Sequence, residues 1–346
     1  MDFELDEAQR AAAQVTGDVL DGAPAELAWK ELGRAGVLSL AVPEWLGGDG
    51  LGAAEVAAVL AEVGRRAAAV PALATLALGV LPVARWGSRD QQRQLLASGT
   101  VLTAALHEPS EPMPAAPRTT AGPGLELHGT KVGVPYAVQA QRILVPVSTS
   151  DGVAVALVDP AAPGVHLRQS FSSAGTPEYT LTLDGATAAG LLGDAAPEAV
   201  ADLYRYAVAG ACATGDGALA GALALTAAHL GSRRQFGRPL AEFQAVAQQV
   251  ADVYITARTL HLAALSACWR LGTGAEPDAD LAVAAYWLAS EATPAMRTCH
   301  HLHGGTGVDA SYPLHRHSSL LKDLVRLLGG TSYRLDLLGG VACSST

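Results

Sequence analysis

The segment of residues 233–244 concentrates side chains that can bind a phosphorylated ligand with an aromatic ring. The guanidinium groups of Arg233 and Arg234 present planar forks of N–H donors that match phosphate oxygens. Phe236 can cover an apolar ring, and the amide of Gln244 can both donate and accept hydrogen bonds. Taken alone, the arginine pair is also typical of a helix C-terminus, where positive charge complements the helix dipole. The segment as a whole favours a binding site for a dinucleotide.

Two long helical patterns lie on either side of this segment. Residues 218–230 are rich in alanine and leucine, and residues 243–271 carry apolar residues close to helical spacing. Gly237 and Pro239 interrupt the helical pattern between them. The sequence therefore predicts a loop whose side chains are held by a rigid helical hairpin.

The pattern Arg-x-x-Phe-Gly-x-Pro, followed by Phe-Gln, closely resembles the FAD-contacting signature of the acyl-CoA dehydrogenase family. In that family the arginine binds the FAD pyrophosphate, and the phenylalanine and glutamine lie along the cofactor, reaching over from the neighbouring subunit. The resemblance implies that FAD is the cofactor and that Arg233, Gln235, Phe236 and Gln244 are cofactor-binding residues.

Composition limits the classes of function that the chain can have. It has 346 residues, of which 50% are hydrophobic, so it can fill more than one core and more than one domain is expected. The formal net charge of -10 argues against nucleic acid or an anionic membrane surface as the main partner. A soluble protein that acts on a small molecule fits this composition better.

The four cysteines, Cys212, Cys268, Cys299 and Cys343, show no paired spacing, which predicts free thiols in a reducing compartment. The N-terminus is acidic where a signal peptide would be basic. The longest apolar run, residues 70–84, is too short for a membrane span and contains two prolines. These features predict a cytoplasmic protein.

Residues 1–99 predict an N-terminal helical domain. Candidate helices cover residues 9–20, 25–35, 53–63 and 75–86. Ser88 with Gln91 forms a capping-box pattern for one more short helix, which is expected to end near Gly99. Residues 42–52 contain four glycines and predict a loop. This loop resembles the N-terminal pattern of the family, in which Pro-Glu is followed by Gly-Gly-x-Gly.

A middle β domain is predicted over residues 100–190, where the pattern changes from helical to period two. Alternation in residues 178–184 and apolar runs at 143–147 and 153–158 predict strands. Five prolines make residues 107–124 an irregular loop. In the family, the equivalent loop and the strand after it build the flavin site.

From about Glu198 the pattern is helical again, which predicts a C-terminal helical domain over residues 195–346. The order helix, sheet, helix is the architecture of the acyl-CoA dehydrogenase family. The resemblance therefore implies an α+β multidomain fold of that family, in which an N-terminal helical domain and a middle β domain precede a C-terminal four-helix bundle.

A histidine-rich segment lies in the C-terminal domain and includes His300. One interpretation is a metal site, but no carboxylate or cysteine set accompanies the histidines at ligand spacing, so no bound metal is predicted. The glycines after them permit close approach of backbone to a ligand. The sequence Gly-Gly-x-Gly followed by Tyr-Pro resembles the family segment that touches FAD across the dimer, although a helix-cap loop is the alternative. The predicted cofactor contacts of this domain are His301, Leu302, His303, Gly304, Gly305 and Thr331.

Three departures from the family pattern concern the active site. The family's commonest base is the glutamate of a Glu-Gly-Thr segment, and Gly329 occupies its position here. Glycine cannot abstract a proton. Some members carry the base early in the first C-terminal helix, but residues 203–215 contain no acid. The family strand that lays a tryptophan and a threonine against the flavin edge has Gly133 and Pro135 instead, so no catalytic residue is predicted in this chain.

The missing residues belong to the face that holds a subunit's own flavin ring and acyl group, whereas the retained residues reach into a neighbour's site. The sequence resembles the base-lacking chain of heterotetrameric family members that act on CoA thioesters of shortened steroid side chains, as in cholesterol side-chain degradation. This resemblance implies α,β-dehydrogenation of an acyl-CoA or steroid-CoA substrate, with the base supplied by a second acyl-CoA dehydrogenase-like chain. Two alternatives stay open: a self-sufficient homo-oligomeric dehydrogenase whose base is Asp216 or Asp323, and a flavin-free scaffold.

Overall fold

The computed structural model describes residues 3–96 and 100–344. Its N-terminal part is helical, as predicted. The helices are α1 (Glu7–Gly22), α2 (Ala28–Arg34), α3 (Ala53–Arg65), α4 (Leu81–Trp86) and α5 (Arg89–Leu95). The predicted capping box is present at α5, because the hydroxyl of Ser88 accepts from the N–H of Gln91 and the Gln91 side chain accepts from the N–H of Ser88. The predicted end of this helix near Gly99 lies outside the described residues.

The predicted helix over residues 75–86 consists of two differently wound parts. Leu73–Val80 is π-helical, and α4 continues from it with Pro82 in the first turn. Proline cannot donate a backbone hydrogen bond, and the wider winding before it shifts the partners, so that the N–H of Leu81 bonds to the carbonyl of Leu76. Helical periodicity predicts the element but not this change of winding.

A mixed sheet of seven strands forms the middle of the described chain, where the β domain is predicted. Its strands are β1 (Leu102–Ala104), β2 (Thr120–Ala121), β3 (Glu126–Pro135), β4 (Arg142–Thr149), β5 (Gly152–Val158), β6 (Val165–Ser170) and β7 (Glu178–Thr187). The order is β1-β4-β2-β3-β7-β6, and β5 pairs with β4 beside this path. β4 runs parallel to β1 and β2, and the other pairs are antiparallel. The sequence patterns predicted β4, β5 and β7 but missed β1, β2 and β6.

Burial explains why some strands have continuous apolar sequences, whereas others alternate between apolar and polar residues. Every residue from Ile143 to Val147 in β4 and from Ala154 to Val158 in β5 is buried. Because both faces of these strands are covered, their sequences are continuous apolar runs. β7 instead alternates, and its Leu181 and Leu183 join the core of the sheet.

The C-terminal part is helical, as predicted, with five helices in its described residues. They are α6 (Pro197–Ser232), α7 (Gln244–Thr273), α8 (Asp278–His303), α9 (Leu314–Leu327) and α10 (Thr331–Ser344). A two-stranded hairpin, β8 (Arg234–Gln235) and β9 (Arg238–Pro239), lies between α6 and α7. A single turn of 3₁₀ helix, Gly304–Val308, follows α8.

Helix α6 is long and apolar because it is a core helix. By length and composition it could cross a membrane, but 72% of its apolar window is buried inside the protein. Its glycines allow backbone-to-backbone packing on α3, since a Cβ on Gly217 would lie 1.8 Å from the carbonyl oxygen of Ala61. A Cβ on Gly64 of α3 would likewise lie 2.0 Å from the carbonyl oxygen of Thr214. No side chain fits at either contact.

The described chain divides into two compact units. One consists of the chain up to Leu20, Ala57–Ala68 and the chain from Ala211 onwards; the other consists of Asp21–Val56 and Ala69–Gly210. The three-domain boundaries drawn from the sequence, after residue 99 and at residues 190–195, stay a prediction. The first of them falls at residue 99, outside the described residues.

Candidate functional site

The hairpin between α6 and α7 ends in a two-residue turn formed by Phe236 and Gly237. Both residues have positive φ, 52° and 81°, as a type I′ turn requires. Glycine adopts this conformation freely, whereas a bulky aromatic residue there costs on the order of 1 kcal/mol. The side chain of Phe236 is 92% exposed, so burial within the chain offsets little of that cost. A strained, exposed aromatic ring is typical of a ligand contact.

The three arginines of the hairpin differ in what their side chains contact. A guanidinium nitrogen of Arg234 donates to the carbonyl of Gly237 at 3.0 Å, and the guanidinium of Arg238 lies 4.1 Å from the ring centre of Phe243. Within the described residues, the exposed side chain of Arg233 forms no hydrogen bond or ion pair. Arg233 is therefore the arginine whose N–H donors remain available to an external phosphate.

The backbone fixes the position of Arg233 at both ends. Its N–H donates to the carbonyl of His229 in the last turn of α6 at 2.8 Å, and its own carbonyl accepts from the N–H of Leu240 at 2.9 Å. Gln244 begins α7 and is exposed, and none of the residues from there to Asp252 is buried. The hairpin and the first turns of α7 thus present polar and aromatic side chains on an exposed arm.

The second predicted contact segment lies where α8 ends. His301, Gly304 and Gly305 are exposed, whereas Leu302 and His303 are buried. Gly304 has φ 58° and ψ -137°, a backbone conformation that is essentially restricted to glycine. The exposed residues can meet a ligand directly. Contacts from Leu302 and His303 stay a prediction, and their side chains face the interior of the chain.

The histidines of this segment make separate contacts. The Nδ1–H of His300 donates to the carbonyl of Gly307 at 2.8 Å, and the Nδ1–H of His303 donates to the carbonyl of Cys299 at 2.8 Å. Among the described residues, no group of three His, Cys, Asp or Glu side chains could hold a metal ion. The histidines serve to fix the turn after α8.

The structure brings the hairpin and the turn after α8 together. The ring of His303 stacks on the ring of His229 with centroids 4.5 Å apart, and His229 is the residue that accepts the Arg233 backbone N–H. The hydroxyl oxygen of Tyr312 lies 3.1 Å from Nε2 of His303, within hydrogen-bond distance. Sequence reasoning missed the role of His229 in this contact, because its partner lies far away along the chain.

Thr331 lies away from this assembly. It begins α10, and its hydroxyl donates to the carbonyl of Ala289 in the middle of α8 at 2.9 Å. From Ala289 to His303 there are about 14 helical steps, or roughly 21 Å along the helix axis. The structure therefore gathers nine of the ten predicted cofactor contacts at one end of the helical domain and leaves Thr331 elsewhere.

The hairpin and the turn chemically fit a dinucleotide such as FAD. The free guanidinium of Arg233 suits a pyrophosphate, the exposed ring of Phe236 can lie on an apolar ring, and the amide of Gln244 can bond to either donors or acceptors. The exposed Gly304 and Gly305 allow backbone to approach such a ligand closely.

Comparison with known proteins decides the family. The models of the N-terminal and the C-terminal domain of acyl-CoA dehydrogenases match residues 4–100 and 201–334. Acyl-CoA dehydrogenase FadE28 of Mycobacterium tuberculosis is 49% identical over 351 residues, which cover 100% of both chains. The chain belongs to the acyl-CoA dehydrogenase family. It is thus an FAD-dependent oxidoreductase of the class that acts on CH–CH donors, and the prediction of FAD as cofactor is confirmed.

Solved structures of this family confirm the predicted fold. A chain of the ChsE4-ChsE5 complex from Mycobacterium tuberculosis is similar with a TM-score of 0.91 and 32% identity, covering 99% of both chains. A chain of the Tcur3481-Tcur3483 steroid ACAD, solved as a variant, is similar with a TM-score of 0.88 and 34% identity, covering 98% of this chain and 97% of that one. The N-terminal helices, the middle sheet and the C-terminal helices therefore form the acyl-CoA dehydrogenase fold.

The position of the family's usual base lies in a tight turn between α9 and α10. Gly329 and Gly330 both have φ 85°, a left-handed conformation that favours glycine. The other base position of the family falls in residues 203–215 of α6, where Leu203, Ala207 and their neighbours form part of the buried apolar core. Neither position of this dehydrogenase chain holds a carboxylate.

The carboxylates weighed as alternative bases have partners inside the chain. Asp216 accepts from Nδ1–H of His261 at 2.9 Å, and Asp323 lies 3.5 Å from a guanidinium nitrogen of Arg326. Asp202, at the start of the first C-terminal helix, forms an ion pair with Arg85 at 2.6 Å. The structure thus assigns each carboxylate a local partner.

The strand that borders the flavin in acyl-CoA dehydrogenases is irregular here. The register of β3 against β7 shifts between Lys131 and Val134, and Gly133 within the shift has φ 64°. Pro135 ends the strand, opposite Glu178. A β-bulge with a glycine therefore lies where the sequence resemblance leads one to expect a bulky residue.

A buried ion pair that sequence reasoning missed supports this strand. Nζ of Lys131 lies 2.8 Å from Oε1 of Glu108, and the exposed fractions of the two side chains are 0% and 2%. The hydroxyl and N–H of Thr119 and the N–H of Arg118 also donate to this carboxylate at 2.6–2.8 Å. Burial alone would raise the pKa of Glu108, but the hydrogen bonds from Lys131, Thr119 and Arg118 outweigh it and lower the pKa to about 2. The signal in the sequence was a lysine at an inward position of a strand.

Proposed function

We propose that this chain is the base-lacking subunit of a heteromeric acyl-CoA dehydrogenase that introduces an α,β double bond into a CoA thioester, with a steroid of shortened side chain as the acyl group. The observation that carries the proposal is the contrast between two parts of the site. The FAD-contacting arm is exposed and intact, whereas the usual base position is a left-handed glycine turn.

The exposed arm supports a shared cofactor site. Arg233, Phe236 and Gln244 are exposed on the isolated chain, and the side chain of Arg233 forms no hydrogen bond or ion pair within the described residues. Residues that bind FAD within one chain would be expected to face a cleft of that chain. An exposed arm with these groups instead suits a cofactor held by a neighbouring chain.

The names of similar structures support the remaining parts of the proposal. ChsE4-ChsE5 and Tcur3481-Tcur3483 are each named as two unlike chains, and the second is named a steroid ACAD. By similarity to these complexes, we assign the missing base to a second acyl-CoA dehydrogenase-like chain and the substrate to the steroid CoA thioesters.

The division of tasks follows from the chemistry. When bound, FAD accepts the hydride that leaves the β carbon of the acyl group. A carboxylate must remove the α proton at the same time, and in our proposal it belongs to the partner chain. This chain contributes the guanidinium of Arg233 for the pyrophosphate, the ring of Phe236 and the amide of Gln244, and it lines part of the cavity. A half-site without its own catalytic groups leaves room for a bulky ring substrate.

Flavin content tests the proposal. The full chain is purified alone and, separately, after co-expression with a base-carrying acyl-CoA dehydrogenase chain, and flavin absorbance is compared with protein mass. We expect little FAD on the isolated chain and one FAD per heterodimer in the complex. Stoichiometric FAD on the isolated chain would overturn the shared-site proposal.

Activity of the isolated chain would favour the self-sufficient alternative instead. In that case Asp216→Asn and Asp323→Asn separate the two carboxylates, because loss of turnover in one variant with retained FAD would identify its base. If co-expression gave a stable complex without flavin, the scaffold alternative would be favoured.

A further inference from the structure

Three aromatic rings form a continuous stack that connects the ends of two long helices. His229 in the last turn of α6 lies 4.5 Å from His303 at the end of α8, with an interplanar angle of 25°. His303 in turn lies 5.2 Å from the ring of Tyr312.

Hydrogen bonds hold the middle ring at both of its nitrogens. Nδ1 of His303 lies 2.8 Å from the carbonyl of Cys299, which can only accept, so Nδ1 carries a hydrogen. Nε2 lies 3.1 Å from the hydroxyl oxygen of Tyr312, within hydrogen-bond distance. His303 is 4% exposed and is held from both sides. The middle ring of the stack is therefore a rigid platform.

His229 is the outer ring of the stack and is half-buried. Its ring packs the last turn of α6 against the end of α8, and its carbonyl accepts the N–H of Arg233, which directly follows that helix. His303 on the other side directly precedes Gly304 and Gly305. The stack thus holds both predicted FAD-contacting segments in one arrangement.

Arg233 and several titratable groups lie near His229. Arg233 follows it by one helical turn, and His303 covers its ring from α8. Other titratable groups in the segments that adjoin the stack are Cys299, His300 and His301 in α8, Asp309 and Tyr312 before α9, and His315 at its start. A second positive charge on the ring of His229 would face Arg233 without a carboxylate between them in the described contacts.

We propose that His229 is a positioning residue that makes FAD binding by this chain depend on pH: its neutral ring completes the stack that holds Arg233, and its protonation opens the stack. The proposal rests on the proposed role of Arg233 in FAD binding. His229 itself touches no cofactor in this proposal and acts through Arg233.

Two opposing effects determine whether FAD affinity rises or falls when His229 is protonated. A new positive charge near a pyrophosphate favours binding, but a single partly exposed charge is worth about two- to fivefold in affinity. A displaced Arg233 loses a charge-assisted contact, which is worth about tenfold to a hundredfold. The loss is the larger effect, so FAD affinity should fall as the pH falls.

The environment of His229 places the protonation of its ring, and with it the loss of FAD affinity, below neutral pH. Burial, then the nearby His303 and Arg233, lower the pKa of His229 from its usual value. The ring is therefore neutral at pH 7. A histidine whose pKa is lowered by folding contributes its full stabilisation above the ordinary value of about 6.5, and the contribution is lost as the pH falls through the lowered pKa.

Replacement of His229 by a ring that stacks but cannot be protonated tests the proposal. The dissociation constant of FAD is measured by flavin fluorescence on the complex with the partner chain, between about pH 7.5 and about pH 5.5, where histidine titrates. We expect the parent to lose about threefold to fivefold in affinity over this range, since one proton is taken up at a pKa below the ordinary value, and His229→Phe to change by less than about 1.5-fold. His303→Leu, which removes the platform, should bind FAD weakly at both pH values. An equal pH dependence in the parent and in His229→Phe would overturn the proposal.

Arg233→Ala distinguishes the failure of this inference from the failure of the proposed function. If Arg233→Ala leaves FAD affinity unchanged, the proposed cofactor role fails. If it weakens FAD binding while His229→Phe keeps the pH dependence of the parent, only the role of His229 fails.

A second measurement needs neither FAD nor a partner. The imidazole signals of the full chain are titrated by NMR, and the signal of His229 is assigned by its absence in His229→Phe. We expect the pKa of His229 to lie below its ordinary value in the parent and to move towards that value in His303→Leu. An ordinary pKa for His229 in the parent would show that the stack does not hold the ring neutral and would contradict the proposal.

Discussion

Two regions of this dehydrogenase chain differ in how many bonding partners their polar side chains have within the chain. The exposed arm, which we define as residues 233–244, carries side chains with few partners inside the chain. The flavin-edge region, defined by Glu108, the strand β3 and the bulge at Gly133, carries polar groups that are satisfied internally. The side chains of the arm remain available to a ligand, whereas the polar groups of the flavin-edge region bond to one another.

Because of this difference, substitutions in the arm should change ligand affinity, whereas substitutions in the flavin-edge region should change the stability of the fold. A side chain without internal contacts can be removed at little cost to the fold, and any effect of its removal must appear in ligand binding. A buried, hydrogen-bonded charge pair behaves in the opposite way, because removal of one partner leaves the other charge buried and unpaired. Substitutions in the two regions should therefore change different measured quantities.

The largest effect is expected from Lys131→Met. It leaves the carboxylate of Glu108 buried without its counter-ion, which typically destabilises a protein by about 3–5 kcal/mol. Urea-induced unfolding of the full chain measures this loss. The matched control is Asp90→Ala, which breaks an ion pair with Arg93 on the surface and should cost less than about 1 kcal/mol. Similar losses of unfolding free energy in the two variants would show that the buried pair of Lys131 in the flavin-edge region is worth no more than a surface ion pair, which would contradict this prediction.

The same pair predicts a pH dependence. Folding lowers the pKa of Glu108 from 4.5 to about 2, so its contribution to stability is complete above pH 4.5 and is lost as the pH falls towards 2. The thermal midpoint of the parent should therefore fall over this range. In Glu108→Gln the fall should be smaller, because the amide does not titrate; an identical fall would indicate that other carboxylates dominate.

The second largest effect is expected in the arm. Arg233→Ala removes a charge-assisted contact to the pyrophosphate worth roughly 1.5–3 kcal/mol, or about tenfold to a hundredfold in FAD affinity. The free energy of unfolding of the isolated chain should not change. Arg238→Ala is the control within the same hairpin; it should affect FAD less, since that guanidinium lies on Phe243. Equal FAD dissociation constants for Arg233→Ala and the parent complex would disprove the assignment.

The sequence predicted those parts of the site that depend on local patterns. The loop between α6 and α7 and the glycine turn after α8 lie within short motifs, and the structure places the first as a β-hairpin and the second as a turn, whereas the loss of the base at Gly329 stays a prediction. The capping box at Ser88 is a further local pattern that is confirmed. Local residue types determine backbone conformation at such positions.

The sequence could not predict contacts between distant residues. The ion pair of Glu108 with Lys131 and the stack of His229 on His303 join segments that are far apart along the chain. A single sequence gives no signal for which distant side chains meet. Short strands such as β2, which has two residues, are equally invisible because two residues show no period.

A smaller effect is expected from Gly329→Glu, which restores a carboxylate at the family's usual base position. We expect the isolated chain to remain inactive, because positioning of the reacting groups is worth about 7–11 kcal/mol and Gly133 and Pro135 cannot make the flavin-edge contacts that the resemblance assigns to their positions. A side chain at φ 85° should also cost about 1–2 kcal/mol of stability. Gly330→Ala, at the same φ and with open space around its Cβ, controls for this backbone cost.

Single-turnover bleaching of added FAD by a panel of acyl-CoA and steroid-CoA thioesters measures the activity of Gly329→Glu. Bleaching that depends on substrate, without any partner chain, would show that the flavin-edge region is functional apart from its base. The contrast between the two regions would then be wrong.

The smallest effects are expected from Phe236→Asn, which should raise the stability of the chain and lower the FAD affinity of the complex. Asparagine tolerates the positive φ of this turn and Asn-Gly is a favoured type I′ pair, so the variant should be more stable by about 0.5–1 kcal/mol. FAD affinity of the complex should fall several-fold, because the aromatic contact is lost. Phe171→Asn is the control, since Phe171 is 95% exposed in a different part of the chain and has no positive φ. It should change neither quantity. A loss of stability in Phe236→Asn would show that the chain itself needs the ring, and unchanged FAD affinity would show that the cofactor does not.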